Sequence, residues 1–182
     1  MLLFRKAAPI LAPLVFFLLS ACFGGVKKTG KVLDYQPGRV ITKKGFYQVG
    51  ELNPDWYRIK LGLAAINFRN DRFGSTISTD SYCDQAYDDA PLPALAGHLY
   101  AGLQDIKIKS QEPLTLDRRG ALRSSVRATL DGVPVQIESV VVKKDWCLFD
   151  FFLVGPPERV AGALPDFEHF YRGFVYNSGE ES

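Results

Sequence analysis

The chain has 182 residues, of which 47% are hydrophobic and 23% are charged, a balance typical of a single globular domain. Its 22 basic and 20 acidic residues give a formal net charge of only +2. Since proteins that bind nucleic acid normally carry a marked basic excess, the composition argues against that class.

The N-terminal segment has the composition of an export signal. Arg5 and Lys6 are followed by an uncharged, mostly apolar run over residues 7–19. A membrane-spanning helix needs about 20 apolar residues, so this run is short for one and suits the core of a signal peptide. Pro9 and Pro13 also argue against a buried helix.

The next residues, Leu19-Ser20-Ala21-Cys22, resemble the lipobox of bacterial lipoproteins. The resemblance implies a signal peptide over residues 1–21 that is cleaved before Cys22. It also implies diacylglycerol on the Cys22 thiol and a fatty acid such as palmitate on the new amine, which together would anchor the protein stably to a membrane. An ordinary secretory peptide and an uncleaved anchor are the alternatives.

This interpretation divides the chain into further segments. Residues 22–38, with several glycines and lysines, are expected to form a lipid-anchored flexible tether. A single α+β domain is expected over residues 39–176, and a flexible tail over residues 177–182. Phe23 stands where lipoproteins retained in the enterobacterial inner membrane have aspartate, which favours the outer membrane facing the periplasm over the inner membrane.

Two cysteines remain in the exported part. An isolated pair such as Cys83 and Cys147 most often forms a disulfide in an exported protein. Closing a loop of this length would stabilise the fold by about 4 kcal/mol. A redox pair, a metal site and two free thiols are the alternatives, although there is no CxxC motif and neither His98 nor His169 has ligand spacing to the cysteines.

The first half of the domain has strand patterns followed by a helix pattern. Strand-like runs lie at 40–49, 57–61, 64–69 and 73–79, with a turn at Asn70-Asp71 between the last two. A helix is expected to begin near Pro91. Its apolar stripe consists of Leu92, Leu95, Ala96, Leu99 and Leu103. Alternation over 106–109 then returns the chain to strand.

Two turns organise the second half. Asp131-Gly132 is a strong type I′ signal that pairs Leu130 with Val133 and separates an apolar face from a polar one. A three-residue loop at 143–145 is expected to pair Val142 with Trp146 and to start a central strand over 146–154. A closing helix over 158–176 follows, kinked or started by Pro165.

These elements predict the α+β class, with an antiparallel sheet of about seven to eight strands, a helix in mid-chain and a C-terminal helix. The order of elements over residues 40–176 resembles the PsbP-like sandwich. The resemblance implies the role of an assembly factor or binding module, which most members have. No motif residue matches, so no functional residue carries over.

The search for catalytic motifs is negative. The sequence has no G-x-S-x-G, S-x-x-K, HExxH, phosphate loop or dinucleotide fingerprint, and we expect neither enzymatic activity nor a cofactor. Four carboxylates, Asp80, Asp84, Asp88 and Asp89, could hold calcium. Their spacing lacks the EF-hand pattern, so a solvated loop that caps the next helix is preferred and no metal site is assigned.

A charged cluster follows from the two predicted hairpins. They place Arg123, Arg127, Glu138 and Asp150 on one sheet face, with Trp146 beside them. Such a cluster is either an ion network that satisfies its own charges or a recognition patch, since arginine and aromatic residues are enriched in interfaces. Both interpretations stay open.

Three functions are compatible with these features. The first is an anchored, non-enzymatic module that binds an envelope protein partner. The second is a carrier or chaperone for a hydrophobic ligand such as lipid, suggested by a surplus of large apolar residues. These residues are Phe149, Phe151, Phe152, Phe167, Phe170 and Phe174. The third is an enzyme with an unrecognised site.

Overall fold

The computed structural model describes residues 32–61, 66–83 and 89–179. Cys22 and the lipobox, and also Asp84 and Asp88 of the acidic loop, lie outside the described residues. Within the described part, two antiparallel sheets and two helices confirm the predicted α+β class. No helix in these residues combines the length and hydropathy that a membrane span requires.

The larger sheet has seven strands in the order β4-β5-β6-β10-β9-β8-β7. Its strands are β4 (Tyr57–Ile59), β5 (Ile66–Asn70), β6 (Ser75–Cys83), β7 (Gln104–Leu116), β8 (Arg119–Leu130), β9 (Val133–Lys144) and β10 (Cys147–Gly155). The smaller sheet has the order β1-β2-β3-β11. Its strands are β1 (Val32–Gln36), β2 (Arg39–Thr42), β3 (Gly45–Gln48) and β11 (Val175–Asn177).

The smaller sheet corrects both ends of the predicted domain. β1 lies inside the range expected to be tether, and β11 reaches into the expected tail. Both strands contribute side chains to the core: Val32 and Tyr176 are buried, and the Tyr35 ring packs edge-on against Phe68. The run over 40–49 is not one strand either, because a turn at residues 43–44 divides it into β2 and β3.

The two helices lie on opposite faces of the larger sheet. Helix α1 (Leu92–His98) follows Pro91 as predicted, although it ends before Leu103. Helix α2 (Val160–Arg172) begins and ends inside the predicted range and continues through Pro165. We call the sheet side covered by α1 the α1 face, and the side covered by α2 and the smaller sheet the α2 face.

The hairpin of β8 and β9 has the predicted register. Asp131 and Gly132 have φ of 49° and 81°, which is the left-handed backbone that a type I′ turn needs at both positions. Leu130 therefore pairs with Val133, and Leu122 with Val141. This pairing puts the apolar members on the α1 face.

The turn between β9 and β10 differs from the prediction. It has two residues, Asp145 and Trp146, both at positive φ, so Lys144 pairs with Cys147. The predicted pairing of Val142 with Trp146 was therefore wrong, and the register is shifted by an odd number of residues. Because side chains alternate between the two faces of a strand, an odd shift moves each side chain of β10 to the opposite face. Asp150 consequently lies on the α1 face, opposite to the side where it was expected. The prediction relied on matching one apolar face, but β9 is buried on both sides at residues 140–142.

Aromatic side chains fill the space between the α2 face and its cover. Tyr47 of the smaller sheet packs against Phe149 and Phe151 of β10, and Phe174 contacts the same three rings. Five of the six phenylalanines considered for ligand binding are fully buried here. They are Phe149, Phe151, Phe167, Phe170 and Phe174. They form the core, so a hydrophobic ligand would need a different site.

The predicted disulfide is present. Cys83 and Cys147 are directly opposite each other on β6 and β10, and both are buried in the aromatic core. The bond joins strands that are 64 residues apart in the chain. It therefore fixes the first half of the domain to the second at the end of the central strand.

Candidate functional site

The α2 face carries a polar pocket between the larger sheet and the start of α2. Arg127 pairs with Gln136, and Ser125 with Glu138, so the alternation of β8 and β9 points all four side chains to this side. Lys109 of β7 completes the rim. The pocket measures about 440 Å³, and the first two turns of α2 form its apolar wall.

Glu138 is the centre of the hydrogen-bond network in this pocket. Its carboxylate is only 5% exposed. Ser125 Oγ and Gln136 Nε2 donate to Glu138 Oε1 over 2.7 Å and 2.9 Å, and Arg123 Nη2 lies 3.6 Å from Oε2. Because a buried carboxylate is costly without such partners, Ser125, Gln136 and Arg123 are its structural support.

Arg127 is oriented by the same network but is not neutralised by it. Its Nε donates to Gln136 Oε1 over 3.2 Å, and Gln136 is itself fixed through Ser125 and Glu138. Within the described residues, no hydrogen bond or ion pair occupies the two terminal amino groups of Arg127. The exposed guanidinium is therefore directed by this one hydrogen bond and presents four N–H donors at the rim of the pocket.

Arg123 has a different environment, between the sheet and α2. Besides its ion pair with Glu138, Arg123 interacts electrostatically with Tyr171 and Glu168 of helix α2. Burial raises the pKa of the Tyr171 phenol, and the charge of Arg123 opposes that rise. The charge of Arg123 also contributes to lowering the pKa of Glu168, after the larger effect of the Arg172 hydrogen bond. Arg123 and Glu138 thus form one ion pair, whereas the expected network also included Arg127 and Asp150.

The structure does not bring Asp150 or Trp146 to this pocket. Asp150 is 2% exposed on the opposite face, where it is paired in register with Asp80. Its Oδ1 has no hydrogen-bond partner, and burial together with the Asp80 charge raises its pKa to about 8. Trp146 lies in the β9–β10 turn, 58% exposed, beside a separate cavity lined by Lys43 and Lys44.

Of the residues considered for metal binding, the described ones do not form a cluster. Asp80 accepts hydrogen bonds from the Ser81 backbone and the Tyr82 hydroxyl. His98 and His169 are exposed on their helices. In the described ranges, no group of three or more histidine, cysteine, aspartate or glutamate side chains could hold a metal ion.

An apolar groove on the α1 face was not predicted from the sequence. This groove measures about 680 Å³. Its walls include Leu61, Val133, Val135, Val154 and Pro156. The sequence did contain a signal for this groove. The β8–β9 register, which was predicted correctly, places Val133 and Val135 on the α1 face outside the area that helix α1 covers.

Comparison with known proteins shows the fold and no closer relationship. No protein-family model matches the sequence, and no curated protein matches it. Among solved structures, the cyanobacterial PsbP protein CyanoP from Synechocystis is similar with a TM-score of 0.56 at 15% identity, covering 87% of this chain and 99% of that one. The chain therefore has the PsbP-like fold, as the order of its elements predicted.

Two further structures support the same fold. A Bacteroides thetaiotaomicron protein has a TM-score of 0.55 at 14% identity over 85% of this chain, which spans about half (51%) of that protein's length. LpqN of Mycobacterium tuberculosis, described as involved in cell envelope biogenesis, has a TM-score of 0.53 at 11% identity over 71% of this chain and 83% of its own.

Proposed function

We propose that this protein is a bacterial envelope lipoprotein, anchored through lipid on Cys22, that acts as a non-enzymatic protein-binding or assembly module. The observation that carries the proposal is Arg127, whose orientation is fixed by Gln136 while its terminal amino groups stay free at the rim of a pocket. A preoriented, unneutralised guanidinium is typical of recognition sites.

The chemistry of the polar pocket supports binding rather than catalysis. Its charged groups are Arg127, Lys109 and Glu138, and both oxygens of Glu138 face partners within the protein. Among the lining residues there is neither histidine nor cysteine. Ser125 donates to Glu138, but the same carboxylate also accepts from Gln136 and faces Arg123, so it is engaged in contacts that hold the pocket together. These groups can hold a charged partner.

The envelope location is proposed from two observations. The Leu19-Ser20-Ala21-Cys22 sequence resembles a lipobox, and the fold is shared with LpqN, which is described as involved in cell envelope biogenesis. Phe23 after the cysteine favours the outer membrane, with the domain facing the periplasm.

The proposal is tested by chemical crosslinking in intact cells followed by capture of the tagged full-length protein from membranes. We expect one envelope protein to be recovered reproducibly, and to be lost when the tagged protein is produced without residues 1–21. If repeated captures share no partner, the binding-module proposal is wrong.

A second candidate function is supported by the apolar groove on the α1 face. Its volume of about 680 Å³ is in the range of about 300–1,000 Å³ that small-molecule sites occupy. The proposal is that this groove carries a hydrophobic ligand such as a lipid. Native mass spectrometry of protein purified from its own membranes tests it, since the carrier function requires a bound lipid beyond the covalent anchor.

A further inference from the structure

We infer that the α2 face of the β7–β8 hairpin is the docking surface for an acidic peptide segment of a partner protein. This surface, which we call the basic face, consists of Lys107, Lys109 and Arg127 with the adjoining polar pocket. The inference rests on the proposed function, because it names the chemistry of the partner that the binding module would recognise.

The first argument is an uncompensated pair of like charges. Lys107 and Arg127 lie directly opposite each other on neighbouring strands. Like charges in this position destabilise a sheet. In the described part of the structure no carboxylate forms an ion pair with Lys107, Lys109 or Arg127, because Glu138 is engaged by Arg123 instead. A bound anion would remove the repulsion.

Lys109 is directed into the polar pocket by an irregularity of β7. The pairing of β7 with β8 is irregular between Ile108 and Ser110, which leaves Lys109 without a register partner. Such bulges redirect a side chain, and here the result is that Lys109 lines the polar pocket.

The spacing of the cations favours an extended chain over a single anion. Lys107 and Lys109 are two strand residues apart, which is about 7 Å. The points at which they leave the backbone are thus spread along the strand. Arg127 presents its planar donors to the same side, and a carboxylate can accept from two of them at once. A row of carboxylates on a peptide can therefore contact all three cations along the strand.

The edge of the sheet explains why the partner is expected to bind through side chains. β7 is an edge strand whose residues 104–113 are exposed. It contains two register irregularities, two lysines and Pro113. Bulges, lysines and proline are the features that prevent an edge strand from pairing with another chain. The face of the hairpin is therefore the available docking surface, and its edge is not.

The test measures fluorescence anisotropy of a labelled decapeptide of alternating Glu and Ser, added to the full-length protein in detergent. A decapeptide of alternating Gln and Ser is the matched probe. We expect only the acidic peptide to bind, and its affinity to fall as salt is added. Arg127→Gln should weaken binding about tenfold to a hundredfold, the usual effect of losing a charged hydrogen-bonded pair.

Arg119→Gln is the matched control, because Arg119 belongs to the same strand but pairs with Asp145 at its other end. It should leave the affinity unchanged within about twofold. The double variant Lys107→Gln and Lys109→Gln should weaken binding without changing the hydrogen bonds of Glu138. It therefore still tests the inference if Arg127→Gln disturbs folding.

Three results of the binding measurements would overturn the inference. They are equal binding of the Gln peptide, equal effects of Arg119→Gln and Arg127→Gln, and full displacement of the peptide by millimolar inorganic phosphate, which would indicate a single-anion site. A crosslinked partner that is still captured with Arg127→Gln would also overturn it, while leaving the proposed function intact.

Discussion

Replacement of Asp150 by asparagine should remove a large pH dependence of stability. The Asp150 carboxyl is buried, its Oδ1 has no hydrogen-bond partner, and the neighbouring Asp80 carries the same charge. Burial and Asp80 raise its pKa from 3.8 to about 8. The folded protein therefore binds this proton more tightly than the unfolded chain does.

The sign of the effect follows from proton linkage. Between pH 4 and pH 8 the unfolded chain releases the Asp150 proton while the folded protein keeps it. The free energy of unfolding therefore falls as pH rises through this window, and it becomes constant above the folded-state pKa. At about 1.4 kcal/mol for each pH unit, the loss is at most about 6 kcal/mol.

The assay is urea unfolding of the wild type and of Asp150→Asn at intervals from pH 4 to pH 9, with the disulfide intact. Asparagine has nearly the same shape and no charge, so the variant should be about as stable as the wild type at pH 4. Above pH 8 it should be more stable, by several kcal/mol at most. Asp34→Asn, which changes an exposed carboxylate, is the control. If Asp150→Asn and the wild type have parallel pH profiles, the Asp150 carboxyl does not titrate as argued.

Three further variants test other parts of the structure. Cys22→Ala should abolish metabolic labelling with a fatty-acid analogue, and label that persists would refute the lipobox interpretation. Cys83→Ser and Cys147→Ser should each lower the free energy of unfolding by about 2–5 kcal/mol. Dithiothreitol should also lower the thermal midpoint of the wild type, and an unchanged midpoint would mean that the two thiols are free. Gly155→Ala would place a Cβ 2.1 Å from the Ser75 hydroxyl and should cost about 1–3 kcal/mol, whereas Gly120→Ala, with open space around it, should cost less in the same unfolding assay.

The features that could be predicted depend on short-range signals. Asp131-Gly132 defines its hairpin within two residues, and the register of twelve-residue strands β8 and β9 follows from it. The onset of α1 needed only Pro91 and the apolar stripe after it. The disulfide was predictable because the lipobox interpretation assigned Cys22 to the lipid and left only two cysteines to pair.

The features that escaped prediction depend on contacts between distant segments. β11 pairs with β3 across most of the chain, and no local pattern in 175–177 indicates a strand. In the β9–β10 turn, Asp145 and Trp146 adopt positive φ without a glycine, so the usual signal of a two-residue turn is missing. Because helices cover both faces of β10, its apolar pattern also gives no information about register.

The corrected register changes the balance between the two interpretations of the charged cluster. With Asp150 on the same face, two arginines would have met two carboxylates, and a self-satisfied ion network would have explained all four. With Asp150 on the opposite face, Glu138 is the acidic member that remains, and Arg123 is the arginine within ion-pair distance of it. Arg127 keeps its contact with Gln136 but has no counter-charge in the described part of the chain, and Lys107 and Lys109 add to the excess. A structural ion network therefore accounts for Arg123 and Glu138, and the remaining cations favour recognition of an acidic partner.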